Sequence, residues 1–255
     1  MKRHIALCAG VVIGAVAGLI GVELALLSRR EFLPLDPGYR IDARVPAPDG
    51  RTEDPLRLAV LGDSTVAGVG SPTELESLAV LIAERVARGL DRPVAVIGYG
   101  VSGARTRNVL REQLPLLSAS VDAIVLVVGA NDATHATPWP GLREDTEAML
   151  RRAGDLASVV VLAGTPRFHA NEIIPEPLRT MVDRYSGLLR GEQRAAVSAV
   201  SRARFVDLAE EASPRFLGRP EATSPDGFHP SPIGYGFWAD ALAPAVIDGL
   251  RTAPG

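Results

Sequence analysis

The chain has one cysteine in 255 residues, Cys8, and it lies inside an N-terminal apolar run. The rest of the chain can therefore form no disulfide, and cysteine usage does not identify the compartment. Cys8 is also a poor lipidation site, because Leu7 precedes it where a small residue is expected. The four histidines (His4, His135, His169, His229) are scattered and make no H-x-x-x-H or H-E-x-x-H pair. No metal-ligand pattern results, and the sequence calls for neither a metal nor a cofactor. Basic residues are not in excess: 27 Lys and Arg, nearly all Arg, stand against 30 Asp and Glu, for a net charge of -3. That excludes the basic face a nucleic-acid binder needs. There is no internal repeat and no low-complexity tract. What remains is an ordinary globular composition, 47% hydrophobic and 22% charged, with room for one sizeable core.

The chain opens with Met1-Lys2-Arg3-His4, followed by apolar and small residues from Ile5 to Val22. About 18 such residues approach the hydrocarbon thickness of a bilayer. Glu23 interrupts the run and Arg29-Arg30 close it. Residues 1–30 are expected to be a single-pass membrane anchor. A cleaved signal peptide is the rival reading, and the long apolar core without a clear A-x-A site argues against it. A buried helix fits less well, since the run is apolar on every face. Charge alone, with Arg29, Arg30, Arg40 and Arg44 beyond the run, puts the following domain on the cytoplasmic side. Long domains translocate regardless of such charge, so the side stays open at this point. Residues 31–55 carry Pro34, Pro37, Pro46, Pro48 and Pro55 with no period, and read as a tether or a segment draped on the surface.

From Leu56 onward, strands and helices alternate. Strands are predicted at Leu56–Leu61, Pro93–Ile97, Ala123–Val128, Val159–Ala163 and Arg204–Leu208. Helices are predicted at Thr73–Leu90, through Val109, Leu110 and Leu114, and at Leu142–Ala153, Leu188–Val200 and Ile233–Leu250. Ala123–Val128 is the most apolar strand and is expected near the centre of the sheet. The alternation predicts an α/β domain over 56–252, a parallel sheet with helices on both faces.

Four stretches fall at strand ends or in the last loop. Leu58 to Leu61 delivers Gly62-Asp63-Ser64-Thr65 to the carboxyl edge of the sheet, where ligands bind in open α/β folds. Ser64 there is either a nucleophile or part of a helix cap. Gly98-Tyr99-Gly100-Val101-Ser102-Gly103 follows the second strand. Gly100 there either brings a backbone N–H close to the reacting atoms or makes a tight turn. Gly129-Ala130-Asn131-Asp132 follows the third, and the Asn131 amide either donates to an oxyanion or serves a turn. Asp226-Gly227-Phe228-His229-Pro230 precedes the closing helix. The spacing of three can bring the Asp226 carboxylate to the His229 imidazole, leaving Nε2 free to accept a proton.

Taken together, these blocks resemble the SGNH hydrolases, also called the GDSL esterase/lipase family. The first block is matched by Gly62-Asp63-Ser64 with Gly68, and the second by Gly100. Gly129-x-Asn131-Asp132 matches the third and Asp226-x-x-His229-Pro230 the last. The resemblance implies a flavodoxin-like three-layer sandwich with a five-stranded parallel sheet. It implies Ser64 as nucleophile, His229 as base and Asp226 as its orienting partner. The implied oxyanion donors are the Ser64 amide, the Gly100 amide and the Asn131 side chain. The implied activity is a serine esterase acting on a carboxylic ester of a lipid or an acylated glycan. An O-acyltransferase on the same scaffold and a tethered non-catalytic binding module are the alternatives. Exported and anchored members are common in that family, which places the expected domain on the extracytoplasmic side of the cell membrane. His135, Trp139, Phe168 and Ile173 are candidates for the substrate wall, because loops at strand ends shape pockets.

Two other motifs are set aside. Gly98-x-Gly100-x-x-Gly103 matches a dinucleotide fingerprint. That fingerprint belongs on a first strand with an acidic residue ending the next, and Asp122 begins its strand instead. Ser102 sits one glycine short of a G-x-S-x-G nucleophile elbow and is the rival nucleophile.

Overall fold

The computed structural model describes residues 18–27, 29–50 and 52–253. The apolar run expected to be an anchor lies mostly outside these residues. Residues 18–27 are helical, and no described helix is long and apolar enough to cross a membrane.

The sheet has six strands: β1 (Ile41–Val45), β2 (Leu56–Gly62), β3 (Val94–Gly100), β4 (Val121–Val127), β5 (Ala157–Ala163) and β6 (Ala203–Val206), in the order β1-β3-β2-β4-β5-β6. From β3 across to β6 every pairing is parallel. Those five strands run in the 2-1-3-4-5 order of flavodoxin-like sheets. The five-stranded count is corrected by β1, which pairs antiparallel with β3 from Ile41↔Gly98 to Val45↔Val94. Its alternation of Ile41, Ala43 and Val45 is short and hidden among prolines, so the stretch 31–55 reads as irregular in sequence.

The strands are apolar on both faces because both faces are covered. Alternate residues serve opposite cores. Leu58 and Val60, Ala123 and Val125, and Val159 and Val161 point to one side. There they meet α2 (Leu78–Leu90) and the closing helix α8 (Pro232–Thr252). Ala59 and Leu61, Ile124 and Leu126, and Val160 and Leu162 point to the other. That core is closed by Met149 and Leu150 of α5 (Trp139–Gly154), Ala196 of α6 (Leu178–Ser198), and Val109 and Leu114. The helix expected through Val109–Leu114 is composite: α3 (Thr106–Asn108), a π turn over Val109–Gln113, then a 3₁₀ turn over Leu114–Leu116. Three short helices sit at strand ends: α1 (Ser64–Ala67), α4 (Ala130–Thr134) and α7 (Leu208–Glu211). The last strand stops at Val206, since Asp207 caps α7 by accepting from Ala209 N at 3.1 Å.

Candidate active site

The site is assembled at the carboxyl ends of β2 and β4 and in the loop before α8. Gly62 ends β2 against β4, where a Cβ would lie 2.0 Å from the Val127 carbonyl oxygen. Only glycine fits this approach. Asp63 then caps α1: its Oδ1 accepts from Thr65 N at 3.0 Å and from Thr65 Oγ1 at 2.9 Å. Ser64 is thereby placed at the first position of the helix, 8% exposed. Gly68, in the left-handed region at φ 100°, ends the turn.

From the opposite side, residues 223–230 form a tight loop. Thr223 pairs with Pro230, Ser224 N donates to His229 O at 2.8 Å, and Gly227 takes φ 71° at the tip. This fold-back aims His229 at Ser64, with Nε2 3.0 Å from Ser64 Oγ. His229 Nδ1 lies 2.6 Å from Asp226 Oδ2. The other carboxylate oxygen, Oδ1, accepts from the amides of Phe228 at 2.9 Å and His229 at 3.0 Å. Burial pushes the Asp226 carboxyl up, but the hydrogen bond from His229 and the two amides outweigh it and hold the group below its ordinary value. Asp226 therefore stays ionised beside the imidazole. Asp63 goes the other way: burial raises it, and its bonds from Thr65 offset this only in part.

Gly129, at φ 130°, turns the chain out of β4 and into α4. The next residues divide the labour. Asp132 is buried and accepts from Thr106 N at 2.9 Å and Thr106 Oγ1 at 3.0 Å, tying α4 to α3. Asn131 faces the site, its Nδ2 3.1 Å from Ala104 O and 3.5 Å from Asp63 Oδ2. A cavity of about 100 Å³ opens on Ser64, Asn131 and His229. Arg167, Phe168, Asn171, Phe216, Phe228 and Trp238 are among its walls.

Ser64, Asn131, Asp226 and His229 are thus brought together, and Phe168 joins them in the cavity wall. The other expected residues are placed elsewhere. Gly100 is paired with Gly62 in the sheet, and a Cβ there would strike Ala67 N at 1.9 Å. Val101 N donates to Gly62 O at 3.1 Å, so the Gly100 amide, one residue earlier in an extended strand, faces the opposite edge. Gly100 lines a separate cavity with Leu35, Ile97 and Leu116. Of the three glycines in this block, Gly103 adjoins Ala104, whose carbonyl accepts from Asn131 Nδ2, and it sits in a left-handed turn at φ 82°. His135 is exposed and its Nδ1 meets Asn131 O at 2.9 Å, behind the site. Trp139 is 51% exposed at the start of α5. Neither lines the cavity. Ile173 packs beneath Gly227 and supports the histidine loop from behind. The rival nucleophile Ser102 donates to Leu35 O at 2.6 Å and has no base among its hydrogen-bond partners within the described residues. Arg167, Phe216, Phe228 and Trp238 are wall residues that sequence reasoning missed; no local pattern distinguishes them from ordinary loop and core residues.

Known proteins share this arrangement of sequence and fold. The GDSL-like lipase/acylhydrolase family matches residues 60–237, from the end of β2 to the first turns of α8. A GDSL lipase of Mycobacterium tuberculosis is 28% identical over 230 residues, 85% of this chain and 87% of that protein. The crystal structure of an acetylxylan esterase from Geobacillus stearothermophilus superposes with a TM-score of 0.56 at 19% identity, covering 75% of this chain and 94% of that one. That of a lipase/acylhydrolase from Enterococcus faecalis gives 0.57 at 23% identity, covering 78% and 97%. At such identities the two structures speak for the fold, while the family match covers most of the chain. The chain belongs to the GDSL-like lipase/acylhydrolase family and is a hydrolase of ester bonds.

Proposed function

We propose that the protein is a serine esterase in which Ser64, His229 and Asp226 form the triad and short acyl esters are the substrates. One observation carries this reading: the unbroken chain of contacts from Ser64 Oγ to His229 Nε2 at 3.0 Å and from His229 Nδ1 to Asp226 Oδ2 at 2.6 Å. Ser64 Oγ attacks the ester carbonyl carbon while Nε2 takes its proton. Asp226 keeps Nδ1 protonated and stabilises the imidazolium. The tetrahedral oxyanion is held by the Ser64 amide, the Asn131 side chain and the Gly103 amide, which replaces Gly100 in this role. Collapse expels the alcohol, protonated by His229. Water, deprotonated in turn by His229, then cleaves the acyl-enzyme and returns Ser64.

The size of the cavity bears on the acyl group. A cavity of about 100 Å³ favours a short acyl chain. Phe168, Phe216 and Phe228 supply the apolar wall, and the alcohol side lies toward solvent. An acylated glycan is the substrate class proposed for the first trials, with acetylxylan as the first compound because a protein of similar fold is an acetylxylan esterase. The N-terminal run Ile5–Val22 is the proposed membrane anchor, with the domain on the extracytoplasmic side. Protease protection in spheroplasts tests that placement.

Fluorophosphonate labelling of the wild type, Ser64→Ala and Ser102→Ala tests the site. Labelling lost only in Ser64→Ala is the expected result, with p-nitrophenyl esters hydrolysed faster at two to four acyl carbons than at eight or more. Labelling lost only in Ser102→Ala moves the nucleophile to the elbow and ends this reading.

A further inference from the structure

We propose that the backbone amide of Leu33, in the segment leading into β1, is a positioning group for the Asp226–His229 pair. The inference rests on the triad reading above. A carboxylate offers about four lone-pair directions, and three of those on Asp226 are taken from within its own loop, by His229 Nδ1 and the amides of Phe228 and His229. The fourth donor comes from far away in sequence. Leu33 N lies 3.3 Å from Asp226 Oδ2, the same oxygen that receives the imidazole N–H.

The segment is held for this purpose along its length. The Phe32 ring meets Phe228 edge-on at 5.8 Å, and Phe228 meets the His229 ring edge-on at 5.2 Å. Leu35 O accepts from Ser102 Oγ at 2.6 Å. The Tyr39 hydroxyl lies 3.0 Å from Gly68 O and 3.1 Å from Ser71 O, in the loop that leaves α1. Upstream, the buried carboxylate of Glu23 accepts from Leu178 N at 3.2 Å, at the start of α6. The Phe32 and Tyr39 ties reach the histidine loop and the loop after α1, while those of Leu35 and Glu23 fix the stretch against residues outside the cavity. A donor on Oδ2 limits how far the carboxylate can rotate about its own axis, and that rotation sets the tilt of the imidazole toward Ser64.

Proline at position 33 removes the N–H and leaves Asp226 and His229 in place. The full-length Leu33→Pro, Phe32→Ala and Glu31→Pro variants are compared with wild type on p-nitrophenyl acetate across pH, beside fluorophosphonate labelling and thermal unfolding. Leu33→Pro is expected to lose about 5–20-fold in kcat with KM within twofold, as for a weak bond to a charged group. The acid limb of its kcat/KM profile moves to higher pH, because a carboxylate with one donor fewer holds the imidazolium more strongly. The other titratable groups facing the pair, Asp63 below, Tyr235 of α8 and Arg167 in the cavity wall, are unchanged in every variant. Glu31→Pro, an exposed proline two residues upstream, is expected to match wild type and reads strain in the segment alone. Phe32→Ala keeps every amide while loosening the segment; it is expected to shift the limb the same way by less, and it decides the matter should Leu33→Pro fail to fold. A labelled wild type with unmoved profiles in Leu33→Pro, or in Phe32→Ala where that variant decides, overturns this inference alone. A folded wild type that takes no label overturns the triad reading and this inference with it.

Discussion

The Asp226 carboxylate has two measurable consequences of its environment. Asn in its place can present its amide to Nδ1 and leave the wrong tautomer at Ser64, so Asp226→Asn is expected to lower kcat by about 10³–10⁴-fold with the fold intact. It also alters the acid limb of stability. The folded-state pKa of Asp226 is depressed, so the ionised group stabilises the fold above the ordinary carboxylate value of 3.8, and this is lost as pH falls through the folded value. The difference in Tm between wild type and Asp226→Asn should therefore narrow below about pH 4. Asp132 has the opposite sign, being raised by burial; its contribution is lost as pH rises through that raised value. Asn131→Ala removes the proposed side-chain oxyanion donor and is expected to cost about 10²–10³ in kcat with Tm little changed; steady-state kinetics on p-nitrophenyl acetate checks it, and full activity would remove Asn131 from the site. Ser64, Asn131, Asp226 and His229 were legible because each lies in a short block whose internal spacing does the placing. The glycine of the second block was not. Three glycines fall within Gly98–Gly103, and the direction of each amide depends on where β3 stops and on the parity of its pairing with Gly62. That parity is a property of two strands, and no single stretch contains it.

Among the elements, the ends of the strands are held by side chains from the helices beneath them. Gln113, on the π turn, accepts from Gly62 N at 2.9 Å and donates to Gly62 O at 2.7 Å, taking over both backbone groups at the end of β2. Gln193 of α6 does the same one layer away, accepting from Thr165 N and Thr165 Oγ1 and donating to Val128 O. Both glutamines are buried. Gln113→Leu keeps the volume and leaves the Gly62 amide unpaired and its carbonyl with one donor fewer. The orphaned amide costs about 1–3 kcal/mol, so a clear drop in Tm is expected. Ser64 labelling should slow more than the drop explains, since Gly62 sets the aim of the turn; unchanged labelling in a destabilised protein would confine Gln113 to stability. The apolar strands were readable, since burial on both faces leaves unbroken runs. The irregular helix bearing Gln113 was not, because the departure from 3.6 periodicity spans only Val109–Leu116. The early start of α6 at Leu178 was missed as well, because polar residues interrupt 178–187 and Leu178, Val182 and Tyr185 join a small separate cluster with Leu142, Phe168 and Ile174.

At the scale of the molecule, the question is where the folding unit begins. Composition places the start near Leu56, after the last proline of the linker. A start further upstream is proposed, because β1 extends the sheet at its β3 edge and the residues before it reach Asp226. Ile41 is 3% exposed and its side chain lies over Gly98, in the space a side chain there would fill. Burying such a residue is worth about 1.5–3 kcal/mol, and the β1–β3 ladder and the Tyr39 bonds add to it. A chain begun at Leu56 loses all of these and exposes the amides and carbonyls of β3. A loss of about 3–4 kcal/mol in a domain of this size lowers Tm by roughly 10 °C. The bared edge also offers a template for pairing with a second copy. A chain begun at Glu31 keeps β1 and is expected to elute as a single species whose elution does not change with concentration. One begun at Leu56 should melt earlier and form dimers or larger assemblies as its concentration rises. Thermal unfolding and size-exclusion chromatography on the two chains decide it. Equal Tm and equal elution would mean that β1 merely lies against the sheet and that the unit begins where the prolines end.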